Sequence, residues 1–456
     1  MTPQPGRQQR RLHEDFDDAG VVGDFSGSLL FNNKTDLGTV TLKNVKIQAH
    51  ISFSYNSGDG KIVFDGVEID QMDGLMPRYG WSLLSPNSTG ELTFECVGDG
   101  LTILLDSAVN ESTTATNSLV ETLKNVPSGS KIVLEAGTYY VPEELVIPAG
   151  VTLDVDTNGA SIIVTQHVVD KNYSGTSGGI FGGINRYASI QAAIDGANSG
   201  DYICIAPGEY EVNKQLTINK EITLVGLGTE TKIKAQMTAA LVTVSCNGVV
   251  LKNLTLQGGS GDTKGAGVKI ASKVALDGLT IEDCVIEGFT NGIYADTNQT
   301  EKPVVSNVVI KGCTFLDNTL KGIYVEKLSE SAITDCHFIS NGAGHKAGAG
   351  IDINAKYALY ENIQVSNCVF TDNGNGTEYG GAILVKARGT GLDTAYSTAP
   401  ATLTGVVITD CTFNGNAKAV VLGEYEMENT GPEVQIINPT YNGNTEDLVD
   451  YRNTSE

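Results

Sequence analysis

Aromatic, acidic and basic side chains recur at matching positions of a short repeat in the second half of the chain. Tyrosine rings give flat platforms for sugar rings, and carboxylates can act as acid, base or nucleophile. Histidine, amide and cationic groups can position the acidic groups or oxygens of such a substrate. The carboxylates predicted to be catalytic are Asp296, Glu326 and Asp352. The residues predicted to bind substrate are Tyr294, Tyr324, His345, Asn354, Lys386 and Arg388.

The spacing of the three carboxylates is compatible with cleavage of a glycosidic bond. If the repeats stack as paired strands, Asp296 and Glu326 would lie about 5 Å apart, near the separation in a retaining glycosidase. Glu326 and Asp352 would lie diagonally, at about 7–8 Å, which fits an inverting enzyme. Neighbouring carboxylates would also raise each other's pKa, as a general acid requires. The alternative is that these residues only supply the polar exterior that any repeat structure needs.

The repeat is visible from about residue 250 onward. Five copies contain a cysteine followed two residues later by Ile or Phe, and four of them have Asn three residues further on. A strand-like stretch such as GIYVEK (322–327) follows, and no segment between the strands is long enough for a helix. Each repeat therefore forms three short strands that pair in parallel with those of the next turn. The pattern predicts an all-β parallel β-helix solenoid with inward ladders of Cys, Phe and Asn.

The repeat cysteines are predicted to be free packing residues. The sequence has no C-x-x-C pair, and ligands separated by whole repeats do not surround one ion. The stretch Asp154–Gly159 begins like a calcium-binding loop, but its twelfth position is Thr165 and no helices flank it. A solenoid turn is the favoured interpretation there. The carboxylates of the repeat face could bind Ca²⁺, but no metal site and no required cofactor are predicted.

Two segments each look like the start of a solenoid. Residues 118–153 align without a gap with residues 189–224. In the second segment Ile190, Ala193 and Ile194 fit one face of a short helix, which could cover the open end of the coil. We therefore predict short N-terminal capping helices.

These patterns divide the chain into six parts. The prediction is a disordered N-terminal segment at 1–20, a β-rich region at 21–110 that could add rungs, a first solenoid start at 111–165, a Gly/Ser-rich loop or linker at 166–187, the main parallel β-helix at 188–440 and a C-terminal tail at 441–456.

The net charge of the chain limits the classes of molecule that it can bind. The 456 residues carry 30 Lys and Arg against 54 Asp and Glu, a formal charge of −24. Such a surface repels phosphate backbones and anionic lipids, so no nucleic acid is expected as a partner and no membrane insertion. Residues 1–20 lack the apolar core of a signal peptide, so the protein is either cytoplasmic or part of a longer exported chain. We expect an extracellular or cell-surface monomer.

The start motif SIQAAID (189–195), followed by SGDYICIAPGEY (199–210), resembles the N-terminal motif of pectin-lyase-like proteins. The Cys-x-Phe-x-x-Asn copies resemble the parallel β-helix repeats of that superfamily, over about 188–440 and 118–165. The resemblance implies a right-handed coil. It implies no particular activity, because the superfamily includes lyases, esterases, glycosidases, epimerases and non-catalytic surface proteins.

Specific enzyme motifs of the superfamily are mostly missing. Polygalacturonases carry an Asp pair where this chain has Leu320 and Lys321, and a Gly-His-Gly where it has Gly344-His345-Lys346. Their Arg-Ile-Lys corresponds to Leu384-Val385-Lys386, which keeps only the lysine. The resemblance therefore does not extend to the catalytic pair of a standard polygalacturonase.

Two classes of function remain open at this stage. The first is an extracellular carbohydrate-active protein, a glycoside hydrolase or polysaccharide lyase, acting on the face of Tyr294, Tyr324, Glu326 and Asp352. The second is a non-catalytic adhesin or glycan-binding repeat module, so whether the chain is an enzyme is left undecided. In either case the partner is a polysaccharide or surface glycan. A concave groove at the carboxylates would favour the enzyme, and a flat exposed wall would favour binding.

Overall fold

The computed structural model describes most of the repeat region and parts of the N-terminal region. The described residues are 11–12, 19–25, 29–33, 38–47, 51–55, 60–70, 92–105, 119, 122–123, 126–141, 145–155, 159–175, 179–181, 184–227, 230–259, 265–375, 379–389, 398–424 and 431–452. They form two compact units, residues 1–166 with 179–186, and residues 167–178 with 187–456.

The second unit is a coil of three parallel sheets, and successive strands of each sheet come from successive turns. Sheet I contains His167–Val169, Tyr202–Ile205, Thr223–Gly226, Val249–Lys252, Leu276–Glu282, Val305–Lys311, Leu328–Ser329, Ser331–Thr334, Leu359–Ser366, Thr402–Thr409 and Val434–Ile437. Sheet II contains Gly208–Val212, Thr231–Ala235, Thr255–Gln257, Val285–Glu287, Thr314–Leu316, His337–Ile339, Val369–Thr371, Thr412–Asn414 and Thr440–Asn442. Sheet III contains Leu216–Ile218, Val242–Val244, Ala266–Ile270, Asn291–Ala295, Lys321–Val325, Ala349–Ala355, Gly381–Ala387, Lys418–Leu422 and Glu446–Asp450. The predicted all-β solenoid is confirmed.

Like residues stack inside the coil, as the repeat predicts. The rings of Phe315, Phe338, Phe370 and Phe413 stack face to face, with successive centroids 4.8, 4.7 and 5.2 Å apart. Such ladders bury apolar surface in every turn, which is what holds a solenoid together.

Buried asparagines close the corner between sheets II and III. The side-chain amide of Asn341 donates to Asn373 Oδ1 at 3.0 Å, and that of Asn373 donates to Asn416 Oδ1 at 3.0 Å. Each amide also donates to a backbone carbonyl, for example Asn341 to Phe315 at 2.9 Å. These bonds satisfy polar groups that would otherwise be costly to bury.

The five repeat cysteines are free thiols that line the interior. The Sγ of Cys313 lies 3.4 Å from the carbonyl oxygen of Ile281, in the turn before it. Contact with Cys313 and burial raise the pKa of Cys284, which keeps that thiol protonated. The predicted packing role is confirmed.

One helix, Ile190–Gly196, covers the start of the second unit. Ser189 caps it by accepting a hydrogen bond from the Ala192 amide at 3.4 Å, and Ile190, Ala193 and Ile194 are buried. In the first solenoid start Leu119, Thr122 and Leu123 are helical, and the residues around them lie outside the described part.

The structure corrects two boundaries. The coil begins with His167–Val169, which pairs with Tyr202–Ile205, so the predicted linker at 166–187 contains a solenoid strand. It continues beyond residue 440 through Glu446–Asp450, within the predicted tail. The last turn has the sequence TYNGN (440–444), which matches TFNGN (412–416) of the turn before it. It has Pro439 in place of Cys411, so the cysteine pattern does not predict this turn.

The first unit is also built from parallel strand pairs. Its strands are Arg11–Leu12, Ala19–Phe25, Leu29–Asn33, Gly38–Ile47, Ile51–Tyr55, Gly60–Asp65, Val67–Asp70, Leu92–Cys96, Leu101–Leu105, Ser130–Leu134, Gly137–Val141, Thr152–Asp154, Ala160–Val164 and Gly179–Phe181, with Ile184–Tyr187 ending at the unit boundary. Gly179–Phe181 and Ile184–Tyr187 pair antiparallel. Val40, Ile62 and Ile103 are fully buried in its core. The strands fit the expected β-rich region at 21–110, and most of residues 1–20 lie outside the described part.

Candidate functional site

The site residues lie on the outer face of sheet III, which we call the sheet III face. Strand register places one residue of each turn in a single column along the coil. The column is Lys269, Tyr294, Tyr324, Asp352, Leu384 and Val421. The predicted alignment of Tyr294, Tyr324 and Asp352 is confirmed.

Two tyrosines form an aromatic step at the more exposed end of the column. The rings of Tyr294 and Tyr324 stack with centroids 5.4 Å apart and planes inclined by 15°. The ammonium group of Lys269 lies 5.4 Å from the centre of the Tyr294 ring, a cation–π contact. Burial, with the charges of Asp296 and Glu326, raises the pKa of Tyr294 to about 12. Both phenols are therefore neutral at physiological pH, since burial also raises the pKa of Tyr324.

Glu326 is the centre of a hydrogen-bonded cluster and is only 5% exposed. Its Oε1 accepts from the Tyr324 hydroxyl and from the Lys356 ammonium group. Its Oε2 accepts from the Thr297 amide at 2.9 Å. The Tyr324 hydroxyl in turn accepts from the Asn354 side-chain amide at 3.0 Å. These hydrogen bonds fix the orientation of the Glu326 and Tyr324 side chains.

Asp352 is more deeply buried, at 2% exposure, and is surrounded by cations. Its Oδ2 lies 2.7 Å from Lys321 Nζ, and its Oδ1 lies 3.8 Å from Lys386 Nζ. Burial alone would raise the pKa of Asp352, but the charges of Lys321, Lys386 and Arg388 outweigh it and lower the pKa. Burial also lowers the pKa of Lys321, against the attraction of Asp352. Asp352 is therefore held as an ionised carboxylate.

The expected mutual rise in carboxylate pKa is wrong for Asp352. Each predicted catalytic carboxylate is matched with a cation instead of with another acid. Asp296 accepts from Ser272 Oγ at 2.6 Å and lies 3.8 Å from Lys269 Nζ. Opposite charges at close range stabilise the ionised form, so the pairing disfavours Asp352 as a general acid.

Arg388 connects the two carboxylate clusters. Its Nε donates to Asn354 Oδ1 at 3.1 Å, and its guanidinium pairs with Glu424. Lys386 lies 3.9 Å from the same carboxylate. The register also pairs Asn354 with Lys386 in adjacent turns, as predicted.

His345 is placed apart from these clusters. It is exposed in the turn before Ala349–Ala355, where its Nδ1 accepts from the Ala347 amide at 3.5 Å. Lys321, Lys356 and Glu424 also belong to the site, although the repeat pattern does not predict them. Lys321 was noted only as a departure from an Asp pair, and the other two follow strand ends, where the repeat pattern gives no signal.

The column becomes apolar beyond Asp352. Leu384 and Val421 are 3% and 4% exposed and pack together with Ala349, against Val449 and Tyr451. The sheet III face therefore changes from aromatic, through charged, to apolar along the coil. Glu326 and Asp352 are buried on this face, whereas the side chains of Asp296 and Glu424 are 26% and 25% exposed.

No group of three His, Cys, Asp or Glu residues that could hold a metal occurs among the described residues. In the calcium-like stretch Asp154–Gly159, residues 156–158 lie outside the described part. The described part also contains no helix long and apolar enough to cross a membrane.

Comparison with known proteins agrees with the fold. Residues 228–430 match the family model described as a right handed beta helix region. The second unit is a right-handed parallel β-helix. Its strands continue this coil on both sides of the matched region. Curated protein sequences gave no match.

Several solved enzyme structures are similar to parts of this chain. Rice weevil pectin methyl esterase is 13% identical, with a TM-score of 0.39 over 60% of this chain and 90% of that one. An iota-carrageenase from A. fortis is 12% identical, with a TM-score of 0.40 over 77% and 91%. A pectate lyase is 12% identical, with a TM-score of 0.32 over 61% and 79%. No residue role in this chain follows from these similarities.

Proposed function

We propose that this protein is a carbohydrate-active β-helix protein that acts on a polysaccharide at the sheet III face. The observation that carries the proposal is the stacked pair Tyr294 and Tyr324 beside a buried, directed charge network. The edges of the two rings lie next to groups that can bond the hydroxyls of a sugar.

Of the two reaction classes, the charges favour elimination by a lyase over hydrolysis with two carboxylates. Hydrolysis needs a protonated acid, whereas the pKa of Asp352 is lowered and Glu326 pairs with Lys356. Elimination from an acidic sugar needs a base and cations that stabilise the negative charge developing on the substrate. Lys386 and Arg388 would supply the cations.

A local excess of positive charge supports an acidic substrate. The network contains the cations Lys321, Lys356, Lys386 and Arg388 and the anions Glu326, Asp352 and Glu424. Four positive charges against three leave a surplus in a chain whose formal charge is −24. An anionic sugar would therefore be attracted to this face more than to the rest of the surface.

Mass spectrometry of soluble products, after incubation with neutral and acidic polysaccharides, tests the proposal. Unsaturated ends would identify a lyase and added water a hydrolase. Glu326→Gln should abolish turnover with the fold retained, because it removes the charge that holds Tyr324 and Lys356. The matched control is Glu209→Gln, which breaks the exposed pair with Lys234 at 3.5 Å and should leave turnover unchanged.

The second candidate is a glycan-binding surface module without catalysis. Charge pairing of all three predicted carboxylates favours it, since each lies beside a lysine and the pKa of Asp352 is lowered. Binding of a polysaccharide that is lost in Tyr294→Ala, with no products from any polymer, would select this candidate.

We also propose that the protein works outside the cell as a monomer and requires no calcium. The carboxylates that could bind Ca²⁺ are already paired with lysines. Turnover or glycan binding should therefore be unchanged by EDTA, and size-exclusion chromatography with light scattering should give the mass of one chain. A loss in EDTA that calcium restores would contradict the metal-free site.

A further inference from the structure

A concave surface lies on the outer face of sheet I. It is a groove of about 560 Å³. It crosses four strands of successive turns, namely Val305–Lys311, Ser331–Thr334, Leu359–Ser366 and Thr402–Thr409. Its volume lies within the range of small-molecule sites.

The floor of the groove presents one side chain from each turn. Val309, Ala332, Gln364 and Val407 are register partners across the four strands. Val309 is 38% exposed, which is high for an aliphatic side chain on a strand. The floor therefore repeats at the strand spacing of about 4.8 Å, comparable to the length of one sugar residue in an extended chain.

One wall is a row of left-handed backbone positions. The φ angles of Asn307, Glu330, Asn362 and Gly405 are 54°, 45°, 57° and 64°. Gly and Asn adopt this conformation readily, whereas Glu does so at a cost in stability. Glu330 is thus the exception in a row where the other residue types suit the backbone.

Hydrogen bonds fix the polar groups of this wall. The Asn362 side-chain amide donates to Glu330 Oε1 at 2.7 Å, and that of Asn307 donates to Asp277 Oδ1 at 2.6 Å. A row of held amide and carboxylate groups beside an apolar floor can bond hydroxyls and contact the C–H faces of a sugar ring.

We propose that the sheet I groove binds an uncharged polysaccharide chain lengthwise, with about one sugar residue for each turn. Among the described residues that line it, Glu330 alone is ionisable and no cation is present. The overall charge of −24 also repels acidic polymers, so a neutral glycan is the occupant that the charges favour. This site is separate from the cation-rich network of the sheet III face, and the proposal does not depend on that network.

Affinity electrophoresis in gels containing galactomannan, xyloglucan or hydroxyethyl cellulose tests the groove. We expect retardation of the wild-type protein in at least one of these gels. Ala332→Trp fills the floor and should weaken binding at least about tenfold, the equivalent of one good contact. Gln364→Trp fills it one turn further on and should do the same. Thr314→Trp, on the outer face of sheet II, is the matched control and should be retarded like wild type.

Glu330 gives a second measurement. Glu330→Asn removes the cost of placing Glu in a left-handed backbone conformation and should raise the melting temperature. It also removes the carboxylate from the wall of the groove and should weaken retardation in the neutral gel. Tyr294→Ala should keep its retardation there. The proposal is overturned by no retardation in any neutral gel, by equal retardation of both Trp variants and wild type, or by loss of retardation in Tyr294→Ala. If one Trp variant fails to fold by circular dichroism, the other decides.

Discussion

Two ion pairs join neighbouring turns at nearly the same distance on different faces of the coil. Lys321 Nζ lies 2.7 Å from Asp352 on the sheet III face, and Lys252 Nζ lies 2.9 Å from Glu282 on sheet I. The side chains of the first pair are 4% and 3% exposed, and those of the second are 37% and 30% exposed. Water screens the second pair, whereas the first would leave a buried charge if either partner were lost. The strand register sets the distance between the two charges of an ion pair. The exposure of the sheet face to solvent sets how much the pair contributes to the stability of the fold.

Removing the acid of each pair gives the largest expected contrast. Asp352→Asn leaves Lys321 buried without its counter-charge and should lower the free energy of unfolding by about 3–5 kcal/mol. Glu282→Gln should lower it by no more than about 1 kcal/mol. Urea denaturation followed by circular dichroism measures both variants. Equal losses would show that burial does not separate the two pairs.

Replacing both members of the buried pair should recover part of this loss. The double variant Lys321→Met with Asp352→Leu removes both charges and extends the apolar cluster of Leu384. We expect it to be more stable than Asp352→Asn by about 1–4 kcal/mol, because no unpaired charge of this pair remains. The same urea titration measures it, and a double variant no more stable than the single one would contradict the argument. Turnover should be lost in the Asp352→Asn variant and in the double variant.

The next largest effect is expected from low pH, which should remove the stabilisation contributed by the buried pair. The pKa of Asp352 is lowered in the folded protein, so its pair stabilises the fold fully above the unfolded value of about 3.9. That stabilisation is lost as the pH falls below this value toward the folded pKa. The difference in unfolding free energy between wild type and Asp352→Asn should therefore stay constant from pH 7 to about pH 5 and shrink below about pH 4. A difference that already shrinks between pH 7 and 6 would mean that Asp352 is not the titrating group.

Salt should give the smallest effect. At 1 M salt the screening length falls to about 3 Å, which weakens exposed pairs and hardly reaches buried ones. The small cost of Glu282→Gln should disappear at that salt concentration, while the cost of Asp352→Asn should persist. Parallel urea titrations with and without 1 M sodium chloride measure the change. Loss of the Asp352 effect in salt would place that pair in contact with solvent.

The sequence predicted the coil because its signals repeat. The spacing from Cys336 to Phe338 to Asn341 recurs from turn to turn, and it correctly places all three residues inside. The same period correctly aligned Tyr324 with Asp352. It missed the last turn only where Pro439 stands in place of the cysteine.

The candidate site was less predictable because burial of an outer face leaves no periodic trace. Lys321 lies three positions from Tyr324 in its own strand, yet it reaches Asp352 of the next turn. Lys356 lies just after a strand, where segments between strands differ in length. The sequence therefore indicated which carboxylates share a face, but not that each would already be paired with a cation.

The asparagine ladder lets the coil change length in whole turns. Each amide donates to the asparagine of the next turn and to a backbone carbonyl of the preceding turn, so Asn341 and Asn373 present the same acceptor to the turn that precedes them. A gene duplication or deletion that spans one complete turn would leave a ladder that can still close. The charge network has no such freedom, since Lys321, Asp352 and Lys386 come from three consecutive turns. Evolution can therefore lengthen this protein on the C-terminal side of the network, where the ladder continues to Asn444, while an insertion within the network would separate its charges.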